Sequence, residues 1–193
     1  GIKSCIKLIK NINKLDVHIK ELSFYVFSSE NWNRSFTEVK NLFNLIEEYY
    51  GEFEKTAQNY NLKIRHYGSR KKLSKNILKI IDDVTKKTEK NNSYAINLVF
   101  NYGGRDEIVS SVKKLSPNKI NKDNITKNMY TSRSKDPDLI IRTGGEIRLS
   151  NFMLWQSAYS ELYFTKKMWP DFNITDLQRI IKNFKKRKRN YGK

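Results

Sequence analysis

The chain has 193 residues, a formal net charge of +18 and a single cysteine, Cys5. A hydrophobic content of 38% with 12% aromatic residues excludes a disordered chain and fits one domain with its own core. The lone cysteine excludes an intrachain disulfide and is typical of a reducing compartment, and no apolar run approaches the ~20 residues that span a bilayer.

Hydrophobic periodicity predicts helices and strands in alternating order along the chain. The predicted helices cover residues 2–13, 37–53, 74–84, 108–112, 125–130 and 174–184. The predicted strands cover residues 22–27, 62–67, 94–100, 139–141 and 161–164. Thr37 and Ser74 are predicted to cap the second and third helices, and the unbroken apolar run of the first strand predicts that it is fully buried.

This alternation predicts an α/β fold: a single domain, residues 1–193, with a mainly parallel central sheet flanked by helices. Ligands of open α/β sheets bind beyond the carboxyl ends of the strands. Polar or glycine-rich segments follow three of the predicted strands, at residues 28–34, 101–105 and 142–150. We therefore expect the binding site at this edge of the sheet.

The segment after the fourth strand has the composition of a diphosphate site. Arg142 and Arg148 flank the pair Gly144-Gly145, and Ser150 follows at a predicted short helix start. Glycines allow close backbone approach, guanidinium groups bind phosphate oxygens in pairs, and a helix N-terminus adds amide donors. The alternative interpretation is a basic surface loop.

The segment after the first strand places a tryptophan among polar residues. Trp32 either anchors a ligand or fills the core, and the sequence favours neither. Ser28 and Asn31 offer hydrogen-bonding groups beside it, and Arg34 offers a further cation.

Three other features bear on chemistry. Glu161 opens an apolar strand, where a carboxylate suits Mg²⁺ when a diphosphate supplies the other oxygens; an ion pair with an arginine is the alternative. His18 and His66 lie far apart and have no cysteine partner, which argues against zinc. The apolar stripe over residues 42–53 is either core or the lining of a tunnel for a hydrocarbon tail.

The dense basic run near the C-terminus comprises Lys185, Lys186, Arg187, Lys188 and Arg189. Such a run fits a solvated helix end, an anionic membrane surface or nucleic acid. A nucleic-acid-binding module resting on this run alone is the weakest of the functional hypotheses, so we expect no nucleic-acid partner.

Four sequence blocks together resemble the signature motifs of the Z-type (cis) prenyltransferases. The family includes undecaprenyl diphosphate synthase and dehydrodolichyl diphosphate synthase. The blocks are FSSENWNR (27–34), NYGGR (101–105), DLIIRTGGEIRLSNFMLWQ (138–156) and YSELYFT (159–165). They follow the family's order across nearly the whole chain.

The resemblance implies a role for each matching residue. Ser28 and Asn31 would lie by the reacting carbons as the catalytic pair, and Glu161 would bind Mg²⁺. The residues implied in substrate binding are Ser29, Glu30, Trp32, Arg34, Arg142, Arg148, Leu149 and Ser150. Of these, Arg142, Arg148 and Ser150 would hold the diphosphate of isopentenyl diphosphate.

The implied reaction condenses isopentenyl diphosphate onto an allylic diphosphate, such as farnesyl diphosphate, with formation of a cis double bond. The product is a polyprenyl diphosphate, held in a hydrophobic tunnel. The resemblance also implies a homodimer, and the greasy product is compatible with peripheral membrane association. The alternative is a non-catalytic partner subunit of a heteromeric enzyme, but such subunits typically lose the binding motifs that are intact here.

The chain departs from the family pattern at its N-terminal end and at one internal position. A loop of the type D-G-N-x-R, whose aspartate is the main Mg²⁺ ligand, precedes the first helix in the family, and Gly1 aligns just after it. We therefore expect the 193 residues to lack the N-terminal strand and aspartate loop and to be inactive by themselves. Ile147 stands where bacterial relatives often have histidine, and residues 189–192 loosely resemble a family tail that reaches a neighbouring active site.

Overall fold

A computed structural model describes residues 1–187 of the chain; the predicted tail at residues 189–192, with Lys188, lies outside the described residues. The helices are α1 (Ile2–Asn11), α2 (Phe36–Asn59), α3 (Lys75–Lys87), α4 (Gly104–Val112), α5 (Lys122–Asn128) and α6 (Ile174–Lys186). The strands are β1 (Glu21–Ser28), β2 (Lys63–Tyr67), β3 (Ala95–Tyr102), β4 (Leu139–Arg142) and β5 (Glu161–Phe164). Among these helices, none combines the length and the apolar character that crossing a membrane requires.

Every strand pairing is parallel, which confirms the predicted α/β class. The strands form a three-stranded sheet in the order β1-β3-β2 and a two-stranded sheet of β4 and β5. In the described residues, the strands thus form two separate hydrogen-bonded sheets where one central sheet was predicted. Contacts group the chain likewise into a three-stranded unit (Ile19–Ser134) and a two-stranded unit (Lys3–His18 with the chain from Lys135).

In the three-stranded unit, the buried strand is β3, and the prediction of a fully buried β1 is wrong. β3 has neighbours on both sides and is buried at seven of its eight positions, whereas β1 is an edge strand in which only Phe27 is buried. An edge strand lacks cover along one side, so an apolar run need not be enclosed.

Helices α2 and α3 pack on this sheet through an aromatic and aliphatic cluster. Its buried members are Phe27, Val39, Leu73, Ile77, Ile81 and Phe100. Phe27 and Phe100 come from adjacent strands and their ring centroids lie 5.5 Å apart. Burial of such side chains contributes about 1.5–3 kcal/mol each, so this cluster holds the two helices on the sheet.

The N-cap of helix α2 lies two residues before the predicted cap. Ser35, not Thr37, is the N-cap: its Oγ accepts from the Glu38 backbone N–H at 3.3 Å, and the Glu38 carboxylate accepts from the Ser35 N–H at 3.2 Å. This reciprocal pair satisfies two free backbone donors, which Thr37 could not do with the residue three positions later. The predicted cap Ser74 of α3 is confirmed.

In the two-stranded unit, β4 and β5 pair in register from Leu139 opposite Glu161 to Arg142 opposite Phe164. Helix α6 starts at Asn173, whose side chain accepts from two backbone amides of the first turn. The carboxylate of Asp176 accepts a hydrogen bond from Lys167 at 2.6 Å, which links the segment after β5 to the start of α6.

Gly68 allows the chain after β2 to lie directly against the end of β3. Its φ is +149°, and a Cβ at this position would stand 2.0 Å from the carbonyl oxygen of Phe100. The next residue, Ser69, donates its N–H to the carbonyl of Asn101 at 2.9 Å. A side chain here would therefore push two strand ends apart.

We predict that Gly68→Ala lowers the free energy of unfolding by at least ~2 kcal/mol, because the backbone must shift and the φ is unfavourable for alanine. Gly51→Ala is the matched control, since Gly51 lies in α2 with nothing within 4 Å of an added Cβ. That control should gain about 0.5–1 kcal/mol. Urea denaturation measures both, and similar values for the two variants would contradict the role of Gly68.

His66 is a structural residue, as the sequence indicated for both histidines. Its Nε2 donates to the carbonyl of Phe100 at 3.0 Å, and burial lowers the pKa of the imidazole below its ordinary value of 6.5. The folded protein therefore holds His66 neutral in a range where the unfolded chain takes up a proton. His18 is exposed.

We predict that the stability contributed by neutral His66 is complete above about pH 6.5 and is lost as the pH falls below this value. The free energy of unfolding, measured by urea at about pH 7.5 and about pH 5.5, should fall less in His66→Gln than in the unsubstituted protein. An equal fall in His66→Gln and in the unsubstituted protein would overturn the assignment.

Candidate active site

The catalytic pair predicted from the sequence lies in one tight turn at the carboxyl end of β1. Ser28 ends the strand, and a 3₁₀ turn follows over Ser29–Asn33. The Asn31 Oδ1 accepts from the Ser28 backbone N–H at 3.0 Å, and the Ser28 Oγ accepts from the Asn31 N–H. Ser28 and Asn31 are therefore held together by a reciprocal cap; we call residues 28–31 the Ser28–Asn31 turn.

The hydroxyls of this turn share one carboxylate oxygen. Ser28 Oγ and Ser29 Oγ donate to Oε2 of Glu30 at 2.8 and 3.2 Å. Arg34 is exposed and closes the turn through its backbone N–H, which donates to the Asn31 carbonyl at 3.1 Å. The turn thus presents hydroxyl, amide and carboxylate groups within a few residues.

Tyr25, which the sequence analysis did not single out, lies next to this turn. Its hydroxyl donates to the carbonyl of Tyr102 at 3.2 Å. Burial raises the pKa of Tyr25 to about 12, a hydrogen bond with Ser28 opposes that rise, and the charge of Glu30 adds to it. Tyr25 therefore stays protonated at neutral pH. The sequence carries no signal for it, because residues three apart in a regular strand face opposite sides, and the register shifts between Tyr25 and Ser28 are seen only in the structure.

Trp32 belongs to the core rather than standing free at the edge of the sheet. Its ring meets Phe27 and Phe43 edge-on, at centroid distances of 5.2 and 5.6 Å, and its Nε1 donates to Oδ1 of Asn101 at 2.8 Å. Of the two alternatives left by the sequence, the structure favours the core-filling one. Its implied part in positioning substrates would then be indirect.

The arginine loop, residues 142–150 in the two-stranded unit, is organised by Arg142. The Nη1 of Arg142 donates to the Arg148 carbonyl and to the Ser150 Oγ, both at 2.7 Å. Leu149 lies half-buried between these two partners. The guanidinium of Arg148 pairs with the Glu146 carboxylate, and its side chain is 61% exposed. The structure thus brings the three predicted diphosphate ligands into one loop.

Gly144 and Gly145 shape this loop but do not offer their amides to a ligand. Their φ values are +92° and +85°, which glycine adopts without strain. Their N–H groups donate to the carbonyls of Lys167 and Thr165, both at 2.9 Å. These two backbone donors are therefore already used within the chain.

The prediction of a short helix starting at Ser150 is wrong. Ser150, Asn151 and Met153 have φ values of +47°, +63° and +45°, and residues 150–159 form turns. Left-handed backbone cannot continue a right-handed helix. The groups that this loop could offer to an anion are therefore the arginine side chains and the Ser150 hydroxyl.

Glu161 is the first residue of β5 and forms an ion pair. Arg187 Nη1 donates to the Glu161 carboxylate at 2.5 Å. The ion-pair alternative is thus observed, although the partner is Arg187 rather than an arginine of the arginine loop. Within residues 1–187, no group of three or more His, Cys, Asp or Glu side chains could hold a metal ion. Glu161 offers one carboxylate, which is compatible with Mg²⁺ when substrate phosphates supply the other oxygens.

The chain thus combines a parallel α/β fold with a hydroxyl–amide turn after β1 and a loop organised by Arg142. Residues 1–192 match the family model described as "Putative undecaprenyl diphosphate synthase". The chain belongs to this family, the cis-prenyltransferases, and the resemblance of its motifs is confirmed.

Curated relatives and solved structures agree. The isoprenyl transferase of Treponema denticola is 41% identical over 197 residues, covering 100% of this chain and 87% of its own. That of Aquifex aeolicus is 37% identical over 182 residues, covering 93% and 79%. A structure described as a "probable undecaprenyl diphosphate synthase" from Campylobacter jejuni has a TM-score of 0.90 at 34% identity, covering 100% of this chain and 92% of that one.

A plant structure is similar as well. Lavandulyl diphosphate synthase from Lavandula x intermedia, in complex with dimethylallyl diphosphate, has a TM-score of 0.93 at 29% identity. The match covers 100% of this chain and 86% of that chain. The chain is thus a member of a family of prenyltransferases.

We predict that Asn31→Ala lowers the free energy of unfolding by about 1 kcal/mol, because the Ser28 amide loses its acceptor. Asn31→Asp keeps an acceptor oxygen in the same place and should lose less than half as much. Urea denaturation at neutral pH compares the two, and equal losses would show that the reciprocal cap does not hold the turn.

Proposed function

We propose that this protein condenses isopentenyl diphosphate onto an allylic prenyl diphosphate, such as farnesyl diphosphate, with formation of a cis double bond. The product would be a polyprenyl diphosphate. The observation that carries the proposal is the arginine loop, in which Arg142 already bonds the Ser150 hydroxyl and the Arg148 carbonyl. Family membership supplies the chemical class.

The arginine loop suits a diphosphate because its cations are placed before a ligand arrives. Both intramolecular contacts of Arg142 use Nη1, whereas a guanidinium carries five N–H donors. Arg148 would exchange its exposed pair with Glu146 for a phosphate oxygen, since such pairs contribute little in water. Charge-assisted hydrogen bonds to the departing or bound diphosphate are the strong kind.

The Ser28–Asn31 turn would orient the reacting carbons. Because the Asn31 Oδ1 is already held by the Ser28 N–H, its Nδ2 is the group that can donate to a substrate oxygen. An amide is a poor base, so we assign Asn31 an orienting role and a substrate diphosphate oxygen the role of proton acceptor. Ser29, Glu30, Trp32 and Arg34 would support the turn.

The product would lie along the apolar face of α2. The large side chains of this face are neither enclosed nor fully solvated: Leu42, Phe43, Ile46, Tyr49, Tyr50 and Phe53 are half-buried. Leu42, Phe43 and Ile46 pack against the core cluster and still keep part of their apolar surface uncovered. Half-buried apolar side chains on one stripe support a hydrophobic tunnel, which would also shield a developing carbocation from water.

We also propose Mg²⁺ as the cofactor, with Glu161 as one of its ligands. The ion would supply electrostatic stabilisation of the diphosphate leaving group. Glu161 would first have to release Arg187, and their side chains are 28% and 41% exposed, so water can replace the pair.

A homodimer and a peripheral membrane location complete the proposal. The exposed apolar residues Tyr159 and Leu162 flank Glu161, and their burial against a second copy would remove apolar surface from water. Lys185 and Lys186 in the last turn of α6, next to Arg187, would favour an anionic membrane surface.

We predict that Arg142→Ala raises the KM for isopentenyl diphosphate by roughly 10- to 100-fold, because a charged hydrogen bond worth about 1.5–3 kcal/mol is lost. The assay uses the product of the complete gene. Steady-state incorporation of labelled isopentenyl diphosphate onto farnesyl diphosphate measures the change. Arg148→Ala should act in the same direction.

Arg179→Ala is the matched control, because it removes the same charge from an exposed arginine of α6. An unchanged KM in both Arg142→Ala and Arg148→Ala would overturn the assignment of the arginine loop as the diphosphate site. Isopentenyl diphosphate binding without any turnover would instead favour a non-catalytic partner subunit.

A further inference from the structure

The NYGGR motif, residues 101–105, has no chemical role in the proposed reaction, yet its first residue occupies an unusual place. Asn101 follows Phe100 near the end of β3 with a left-handed φ of +54° and is only 5% exposed. A non-glycine residue in this conformation is uncommon, and asparagine is among the residues that tolerate it.

The side-chain amide of Asn101 is fully engaged. Its Nδ2 donates to the carbonyls of Ser69 and Lys71, both at 2.8 Å, and its Oδ1 accepts from the Trp32 Nε1 at 2.8 Å. The backbone carbonyl of Asn101 accepts from Ser69 N–H as well. Buried polar groups that lose such partners are costly, so each of these contacts constrains its neighbour.

These contacts join the carboxyl ends of all three strands of the three-stranded unit. We call the four residues that make them the junction. Asn101 belongs to β3, Ser69 and Lys71 lie in the loop after β2, and Trp32 lies in the turn after β1. Ladder hydrogen bonds fix the strands themselves, but they do not fix the segments beyond the strand ends. Here the buried side-chain amide of Asn101 fixes these segments.

Trp32 is the residue of this junction that lies next to a proposed catalytic residue. It follows Asn31 directly in the 3₁₀ turn, whose other end is fixed by the reciprocal cap at Ser28. The packing of Trp32 on Phe27 and Phe43 is edge-on, an arrangement that aromatic rings prefer over a broad range of centroid distances. The hydrogen bond to Asn101 sets the direction of the indole and so the orientation of the turn.

We propose that Asn101 is a positioning residue for prenyl transfer: it holds Trp32, and through it Asn31, in the orientation that the reaction requires. This inference rests on the proposed function. A residue with a merely structural role would affect the melting temperature and leave kcat unchanged at temperatures well below melting.

The test is a double-mutant cycle in the full-length gene product with Asn101→Gly and Trp32→Phe. Glycine keeps the left-handed backbone of residue 101 and removes the side chain with its hydrogen bonds to Trp32, Ser69 and Lys71. Phenylalanine keeps a six-membered aromatic ring beside Phe27 and Phe43 and removes the indole N–H together with the five-membered ring that carries it. Ile64→Val, a buried β2 position outside the junction, is the control for a loss of stability alone.

We expect each single variant to lower kcat by about tenfold, the effect of losing the hydrogen bond between Asn101 and Trp32 that both changes remove, with the KM for isopentenyl diphosphate changed less than about twofold. The double variant should be no slower than Asn101→Gly, because both changes break the same bond. Ile64→Val should lower the melting temperature and keep kcat.

Single variants that melt earlier with wild-type kcat, or kcat losses that multiply in the double variant, would overturn the inference. Failure of the proposed function looks different. In that case the unsubstituted protein neither turns over farnesyl diphosphate with isopentenyl diphosphate nor gains thermal stability from isopentenyl diphosphate.

Discussion

The burial of β3 between two parallel neighbours is the constraint on which the three-stranded unit depends. Its backbone is paired on both sides, from Ala95 to Tyr102 on β1 and to Val99 on β2. Because the ladders are parallel, all three strands run toward the same edge, and everything that follows them must be arranged there. Gly68 allows the backbone to approach closely at this edge, and the side-chain amide of Asn101 donates to the loop after β2.

The proposed ligand-binding charges are held in a different way. Arg148 pairs with Glu146 and Glu161 pairs with Arg187, and all four side chains are at least partly exposed. Exposed pairs neutralise charge at little net gain, so they can be exchanged for a phosphate or a metal ion without a large penalty. Arg142 instead uses part of its guanidinium within its own loop, so its orientation is fixed in advance.

Several sequence predictions failed because local patterns do not report what lies beside a segment. The apolar run of β1 predicted full burial, but its edge position in the sheet left it half-covered. Ser150 predicted a helix start, but three consecutive or nearly consecutive left-handed residues prevent one. The pairing of Glu161 with Arg187 joins residues 26 positions apart, which no spacing rule could find.

The sequence by itself determined the order and type of the elements, the parallel α/β class, the family and the motifs that carry the candidate site. Periodicity, turn residues and phosphate-binding side chains are local properties, so they are readable without coordinates. Only the tertiary structure decided three further points. Trp32 packs against the core, and Gly144 and Gly145 use their backbone N–H groups in hydrogen bonds within the chain. Asn101 links three strand ends. Those outcomes depend on which hydrogen-bond partners meet in space, and distant segments of the chain supply them.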